Sequence, residues 1–267
     1  MKYIMISKNL NNYNVVLLLL LHACLISCSS NSFNTEDVIL QDTTVNVDNN
    51  NAGSTGDQTP QNNSSNNIKY LALGDSYTIG TSVCATCNYP TQLQEKLSAE
   101  LNSNINLEII AQSGWNTTAL IEAINNQDLS NDFDLVTLLI GVNNQFQQKP
   151  FDVYMLEFSI LLNRAIQLAN GNLNRVVVIS IPDYSFTPFG QGLNNFQLVS
   201  NEIDLYNDFA KKTSESKNVK FLNITDISRQ GLSDPTLVAS DGLHLSENAY
   251  GEFVERLLPI CLEIIND

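Results

Sequence analysis

Histidine is scarce in this chain. There are two in 267 residues, and one of them, His22, falls in an N-terminal segment with the character of a removable leader. Any imidazole chemistry must therefore use His244. With one histidine and no clustered Cys/His ligands the usual zinc sites cannot be built, and no metal or organic cofactor is expected. Basic residues are few as well, 13 Lys and Arg against 28 Asp and Glu. Removing residues 1–27 takes away two lysines and no acids, so 11 basic residues then face 28 acidic ones, a net charge of about −17. That balance argues against nucleic acid as a partner and against adsorption to anionic lipid headgroups. No internal repeat is apparent, and the apolar run Val15–Leu21 is too short to span a bilayer.

What the N-terminus does contain is an export pattern, residues 1–27, with Lys2 and Lys8 ahead of that apolar run. Its end, Leu25-Ile26-Ser27-Cys28, resembles a bacterial lipobox, and the resemblance implies that Cys28 becomes the lipidated first residue of the mature protein. Lipid chains hold a protein to a membrane surface without spanning it. The expected location is the bacterial cell envelope outside the cytoplasm, at the outer membrane, facing the periplasm or the surface. Residues 28–67 follow as a tether. Positions 29–67 hold ten Asn, many Ser and Thr, and almost no large apolar side chain after Leu40. Such a segment cannot bury enough surface to offset its ordering entropy, and as a flexible coil it would span on the order of 35 Å. Residues 68–267 are the length of one domain with a single core. Oligomeric state is not legible in the sequence.

Within that domain, Gly74-Asp75-Ser76 follows a short apolar run, Ile68–Leu73, that reads as a buried strand. Near the C-terminus stands Asp241-Gly242-Leu243-His244. A serine on the turn after a strand, paired with a late Asp-x-x-His, suggests a nucleophile, a general base and the carboxylate that orients the base. Donors for a developing oxyanion are also present. Ser113-Gly114 follows the apolar run Ile105–Ala111, and Gly141-Val142-Asn143-Asn144 follows Leu135–Ile140.

Each motif alone is ordinary. Gly-Asp-Ser is common turn chemistry, Gly114 suits any tight turn, Asn143 suits a helix cap, and His244 with Asp241 suits the start of a helix. Their order is what carries the argument. Gly-Asp-Ser, a lone Gly, Gly-x-Asn and Asp-x-x-His in sequence resemble the four blocks of the SGNH (GDSL) hydrolases, over about residues 68–265. The resemblance implies a carboxylic ester hydrolase with Ser76, His244 and Asp241 as catalytic triad. It implies an oxyanion site formed by the backbone N–H groups of Ser76 and Gly114 with the Asn143 side chain. Its substrate would be a small ester: an acylated carbohydrate, a lysophospholipid or another. One block departs from the family's usual Gly-x-Asn-Asp, because position 144 is Asn, and this bears on local hydrogen bonding more than on catalysis. The nucleophile elbow Gly-x-Ser-x-Gly fits less well, since Thr78 stands where its second glycine would be. From a different class, a surface lipoprotein that binds glycans through the same fold without turnover is the alternative.

Apolar runs near 68–73, 105–111, 134–140, 175–181 and 219–222 read as strands. Segments near 89–102, 116–126, 151–170, 198–215 and 246–265 show helical spacing. The alternation predicts a three-layer α/β/α domain around a mostly parallel five-stranded sheet, SGNH-hydrolase or flavodoxin-like. Ligands bind beyond the carboxyl ends of such strands, so Ser76, Gly114 and Asn143 should converge. Pro182–Gln197 reads as a long irregular stretch rich in aromatics, either a binding loop or a satellite of the core. Phe146 and Trp115 are candidates for lining the cleft, and Arg229 and Asp226 read as a solvated or paired surface feature. Cys84 and Cys87, in the loop after the nucleophile turn, are expected to form a structural disulfide in an oxidising compartment, a redox pair being the alternative. Cys261 reads as a core residue.

Overall fold

Strands and helices alternate through residues 67–267, the part of the chain that the computed structural model describes. The export pattern, Cys28 and all of the tether except Asn67 lie outside the described residues. The strands are β1 Asn67–Gly74, β2 Asn104–Ala111, β3 Leu135–Leu139, β4 Val176–Ile179 and β5 Lys220–Leu222. They make one sheet in the order β2-β1-β3-β4-β5, every pairing parallel. The helices are α1 Ser76–Ile79, α2 Tyr89–Leu101, α3 Thr117–Asn125, α4 Val142–Phe146, α5 Phe151–Leu168, α6 Pro188–Gln191, α7 Phe196–Ser216, α8 Thr225–Ser228 and α9 Glu247–Asn266. All five strands and the five long helices fall within two residues of the bounds expected from the sequence.

Burial explains why those runs are legible. Tyr70–Leu73 of β1 and all of β3 and β4 are buried, as expected of central parallel strands covered on both faces. The edge strands β2 and β5 are partly exposed. Helix α2 packs against α9, while α3, α5 and α7 pack in series as the other layer. The one polar side chain inside β3, Thr137, is satisfied by the hydroxyls of Tyr70 at 3.0 Å and Tyr89 at 3.3 Å.

Register is what builds a site here. Gly74 stands opposite both Ala111 of β2 and Leu139 of β3, so three strands end at one level. The chain runs from β1 outward to β2, then returns to the far side of β1 for β3. That reversal makes a topological switch point, where α/β sheets bind ligands.

One expectation needs correction, a second is made specific, and four short elements were not expected. Pro182–Gln197 is not irregular: it holds a 3₁₀ turn, Tyr184–Phe186, then α6 and the first residues of α7. Asp183 caps the turn, and Thr187 caps α6 with Pro188 at its first position, a signal that the sequence contained. Arg229 and Asp226 are each paired, with different partners. Arg229 bonds the fully buried Asp183 at 3.0 Å and Asp204 at 2.7 Å, while Asp226 pairs with Arg256. Asp183 also accepts from Ser185 and Ser200, so it pins the aromatic segment to α7 and α8. Finally, the one-turn helices α1, α4, α6 and α8 are too short to show a helical period and were not expected.

Cys84 and Cys87 are joined by a disulfide in the loop between α1 and α2. Asn88 closes this loop, donating to Ala85 O at 2.9 Å while capping α2 at Thr91 N. Cys261 is buried in α9 among core side chains.

Candidate active site

Ser76 is the first residue of α1, directly after β1. Asp75 caps that helix by accepting from Tyr77 N at 3.0 Å, and the turn closes with Gly80 N and Thr81 N on Ser76 O. Gly74 is required by close approach. A Cβ there would lie 2.1 Å from Thr78 Oγ1 and 2.5 Å from Leu139 O. The Gly-Asp-Ser order thus has a local cause: no side chain where β1, β3 and α1 meet, then a cap, then the serine.

The loop after β2 places Gly114 at φ +82°, a left-handed conformation that glycine adopts without strain. Side chains from α4 and the residue just after it lock that loop in place. Asn143 Nδ2 donates to Trp115 O at 2.9 Å, and Gln147 donates to Gly114 O at 2.8 Å while accepting from Asn116 at 2.7 Å. Asn144 is wholly buried. Its Oδ1 accepts from Thr117 N at 3.0 Å and its Nδ2 donates to Thr117 Oγ1 at 2.6 Å, and that hydroxyl in turn donates to Glu157. The departure at position 144 therefore has a physical reason. An aspartate here would set a buried carboxyl against a hydroxyl already committed to another carboxyl.

His244 arrives on the loop before α9, its Nδ1 2.6 Å from Asp241 Oδ2. Asp241 Oδ1 accepts from the N–H groups of Leu243 and His244, each at 2.9 Å, and Oδ2 also accepts from Ser82 at 2.6 Å. One carboxylate both closes the turn and orients the ring. Burial pushes the Asp241 pKa up, but the bonds from Ser82, His244 and the two N–H groups outweigh it and hold it well below the usual carboxylate range. The Tyr77 ring packs on the imidazole, centroids 5.3 Å apart.

Ser76, Gly114, Asn143 and His244 all line one cavity of about 190 Å³, walled further by Phe146 and Tyr184. The sequence singled out these four residues and Phe146, and the structure brings them together. Trp115 instead packs its side chain on the core. No hydrogen bond joins the Ser76 hydroxyl to the His244 ring among the described residues, and such contacts commonly tighten only in the substrate complex. Sequence reasoning missed Ser82, Gln147 and Asn116, whose roles arise from tertiary contacts, whereas Tyr184 comes from the aromatic stretch expected to be a binding loop or a satellite of the core.

Beneath the serine, burial raises the Asp75 pKa from 3.8 to about 7, partly opposed by the bond from Tyr77 N–H. Its Oδ2 has no hydrogen-bond partner among the described residues. A carboxyl whose folded pKa exceeds its unfolded one binds protons more tightly when folded, so this group lowers stability as pH rises from about 4 to 7. Asp75→Asn keeps the acceptor for Tyr77 and cannot ionise. Its thermal midpoint relative to wild type should rise steadily across that window, as melts at about pH 4, 6 and 8 would show. A pH-independent difference would mean that Asp75 is already ionised at the acid end.

The chain belongs to the GDSL-like Lipase/Acylhydrolase family, whose model matches residues 72–251, from inside β1 to inside α9. Membership makes it a carboxylic ester hydrolase. No curated protein matches it by sequence. Among solved structures it is similar to an acetylxylan esterase from Geobacillus stearothermophilus, at 19% identity and a TM-score of 0.57 over 73% of this chain and 94% of that one. A lipase/acylhydrolase from Enterococcus faecalis is similar at 17% and 0.56, over 72% and 94%. A psychrotrophic esterase from a Pseudoalteromonas species is similar at 19% and 0.55, over 74% and 99%. At these identities the likeness shows the shared fold.

Proposed function

We propose that the chain hydrolyses small carboxylic esters through a Ser76-His244-Asp241 triad. The observation that carries this reading is the convergence of Ser76, Gly114, Asn143 and His244 on one cavity, with Asp241 Oδ2 2.6 Å from Nδ1 of the imidazole. Nδ1–H donates to Asp241, which leaves Nε2 free to accept the proton of Ser76 as its oxygen attacks the ester carbonyl. The oxyanion that forms is held by the N–H groups of Ser76 and Gly114 and by the Asn143 amide hydrogen not given to Trp115 O. His244 then passes its proton to the leaving alcohol, and a water activated by the same Nε2 releases the acid and regenerates the serine. Acylated carbohydrates, lysophospholipids and other small esters are the candidate substrates, and the likeness to an acetylxylan esterase keeps the first in view. The test is hydrolysis of p-nitrophenyl acetate by the purified protein, with an alkyl phosphonate mapped onto the Ser76 peptide by mass spectrometry. An inactive, unlabelled protein would instead favour a binding lipoprotein.

The two adjacent asparagines separate catalysis from support. Asn143→Ala should lower kcat by roughly 10² to 10³ with a smaller change in KM, since an oxyanion bond strengthens as charge develops. Asn144→Asp should keep most of kcat but lower the thermal midpoint, and adding Glu157→Gln should restore part of the loss by removing the opposed carboxyl. Steady-state kinetics and melts on the same samples decide it. Near-normal kcat in Asn143→Ala with loss in Asn144→Asp would reverse the assignments.

The lipobox-like segment further supports an envelope protein anchored through Cys28 and tethered by residues 28–67. Cys28→Ser should move the protein from the membrane fraction to the soluble one. Continued pelleting of the variant would point to another anchor.

A further inference from the structure

Beyond Phe146 and Tyr184, which belong to both, the catalytic cavity adjoins a larger groove of about 510 Å³ beside α7. Small-molecule sites occupy roughly 300–1,000 Å³. The groove mixes two kinds of side chain. Phe146, Leu198 and Leu205 are about half exposed, at 48%, 52% and 50%, although nothing in their size favours exposure. Among them stand Lys149, Asn195 and Glu202. Phe146 is held edge-on to Tyr184, centroids 5.7 Å apart, and 6.2 Å from Phe189, so its ring has a fixed attitude at the junction of the two cavities. Glu202 is aligned through a relay, accepting from Gln145 at 2.7 Å while Gln145 accepts from Tyr184 OH at 2.7 Å.

An acyl chain lying here would strip water from Lys149, Asn195 and Glu202 and return no hydrogen bond, a cost that apolar ligands cannot recover. A lysophospholipid would also bring its phosphate to a chain of net charge −15. A sugar ring answers both features at once. Its C–H face packs on an aromatic or leucine side chain, and its hydroxyls donate to a carboxylate or amide and accept from an ammonium. We propose that this groove binds the carbohydrate part of an acylated oligosaccharide, with the ester carbonyl at Ser76 and a short acyl group confined to the smaller cavity. This rests on the hydrolase reading of Ser76.

Two variants test it. Leu198→Trp fills the groove from an exposed position, and Glu202→Leu removes the charge and makes the groove more apolar. Specificity constants are measured on p-nitrophenyl acetate, p-nitrophenyl octanoate and a panel of acetylated pentose and hexose disaccharides. For both variants the ratio of disaccharide to p-nitrophenyl acetate kcat/KM should fall by about tenfold or more, the scale of one lost recognition contact. Unchanged ratios overturn the proposal. So does a Glu202→Leu protein that gains on octanoate and keeps the disaccharide ratio, because the groove would then hold the acyl chain. If the wild-type protein cleaves no ester, the hydrolase reading is what fails. The groove is then judged by amide chemical shifts on titration with the unesterified disaccharides. Shifts at Phe146, Asn195 and Leu198 that vanish in Leu198→Trp support it, and their absence in wild type overturns it.

Discussion

Ser76→Ala is expected to lower ester hydrolysis by up to about 10⁶ in kcat, the scale seen when a serine nucleophile is removed and only substrate binding and oxyanion donors remain. The side chain is small and buried, and its hydroxyl has no hydrogen-bond partner among the described residues, so its loss strands no buried polar group. The bonds that close α1 on this residue run to its backbone carbonyl, from Gly80 N and Thr81 N, and survive the change. Thermal unfolding should therefore stay close to wild type, within the roughly 0.5 kcal/mol of an innocuous substitution. His244→Ala should cost about as much in kcat, and the double variant little more than either single one, because triad members act as a unit. Turnover within tenfold of wild type in Ser76→Ala would place the nucleophile elsewhere, and additive losses in the double variant would separate the two residues.

The architecture was readable because the sheet is buried on both faces. Val176–Ile179 is an unbroken apolar run, Leu135–Leu139 is broken only by the buried Thr137, and neither has an exposed face to interrupt it. Helices of four or five residues cannot display a 3.6-residue period, and α1 and α4, which carry Ser76 and Asn143, passed unseen for that reason. Their functional residues were still found, since each follows a strand and register alone brings strand ends together. What stayed hidden is the polar bracing. Asn116 and Gln147 lie 31 residues apart, and Arg229 and Asp183 lie 46 apart. Hydrogen bonds at such separations leave no periodic trace in the chain. Position 144 shows the consequence: its departure from the family pattern was visible, but its reason, the hydroxyl of Thr117 shared with Glu157, belongs to tertiary structure.

The largest effect after loss of the nucleophile or base is expected from Asp241→Asn, which alters a single functional group. Asp241 Oδ1 accepts two backbone N–H bonds, from Leu243 and His244, so the oxygen of an asparagine must remain there. Its NH₂ group then takes the place of Oδ2 and faces His244 Nδ1 and the Ser82 hydroxyl. A donor now meets Nδ1, so the ring settles with Nδ1 accepting and Nε2 protonated, the tautomer that cannot take a proton from Ser76. The same exchange in a Ser-His-Asp site lowers kcat by roughly 10⁴, and KM should change little. Ser82→Ala removes one bond to the carboxylate without reversing the tautomer, so its loss should stay within about tenfold. Stability supplies an independent check. The folded pKa of Asp241 lies below its ordinary value, so ionisation stabilises the fold above the ordinary carboxylate range and ceases to do so as pH falls through the folded value. Asp241→Asn should thus melt somewhat below wild type at neutral pH, with the gap closing on acidification. If kcat falls less than tenfold while that gap appears as described, Asp241 serves the turn and a different group orients the base.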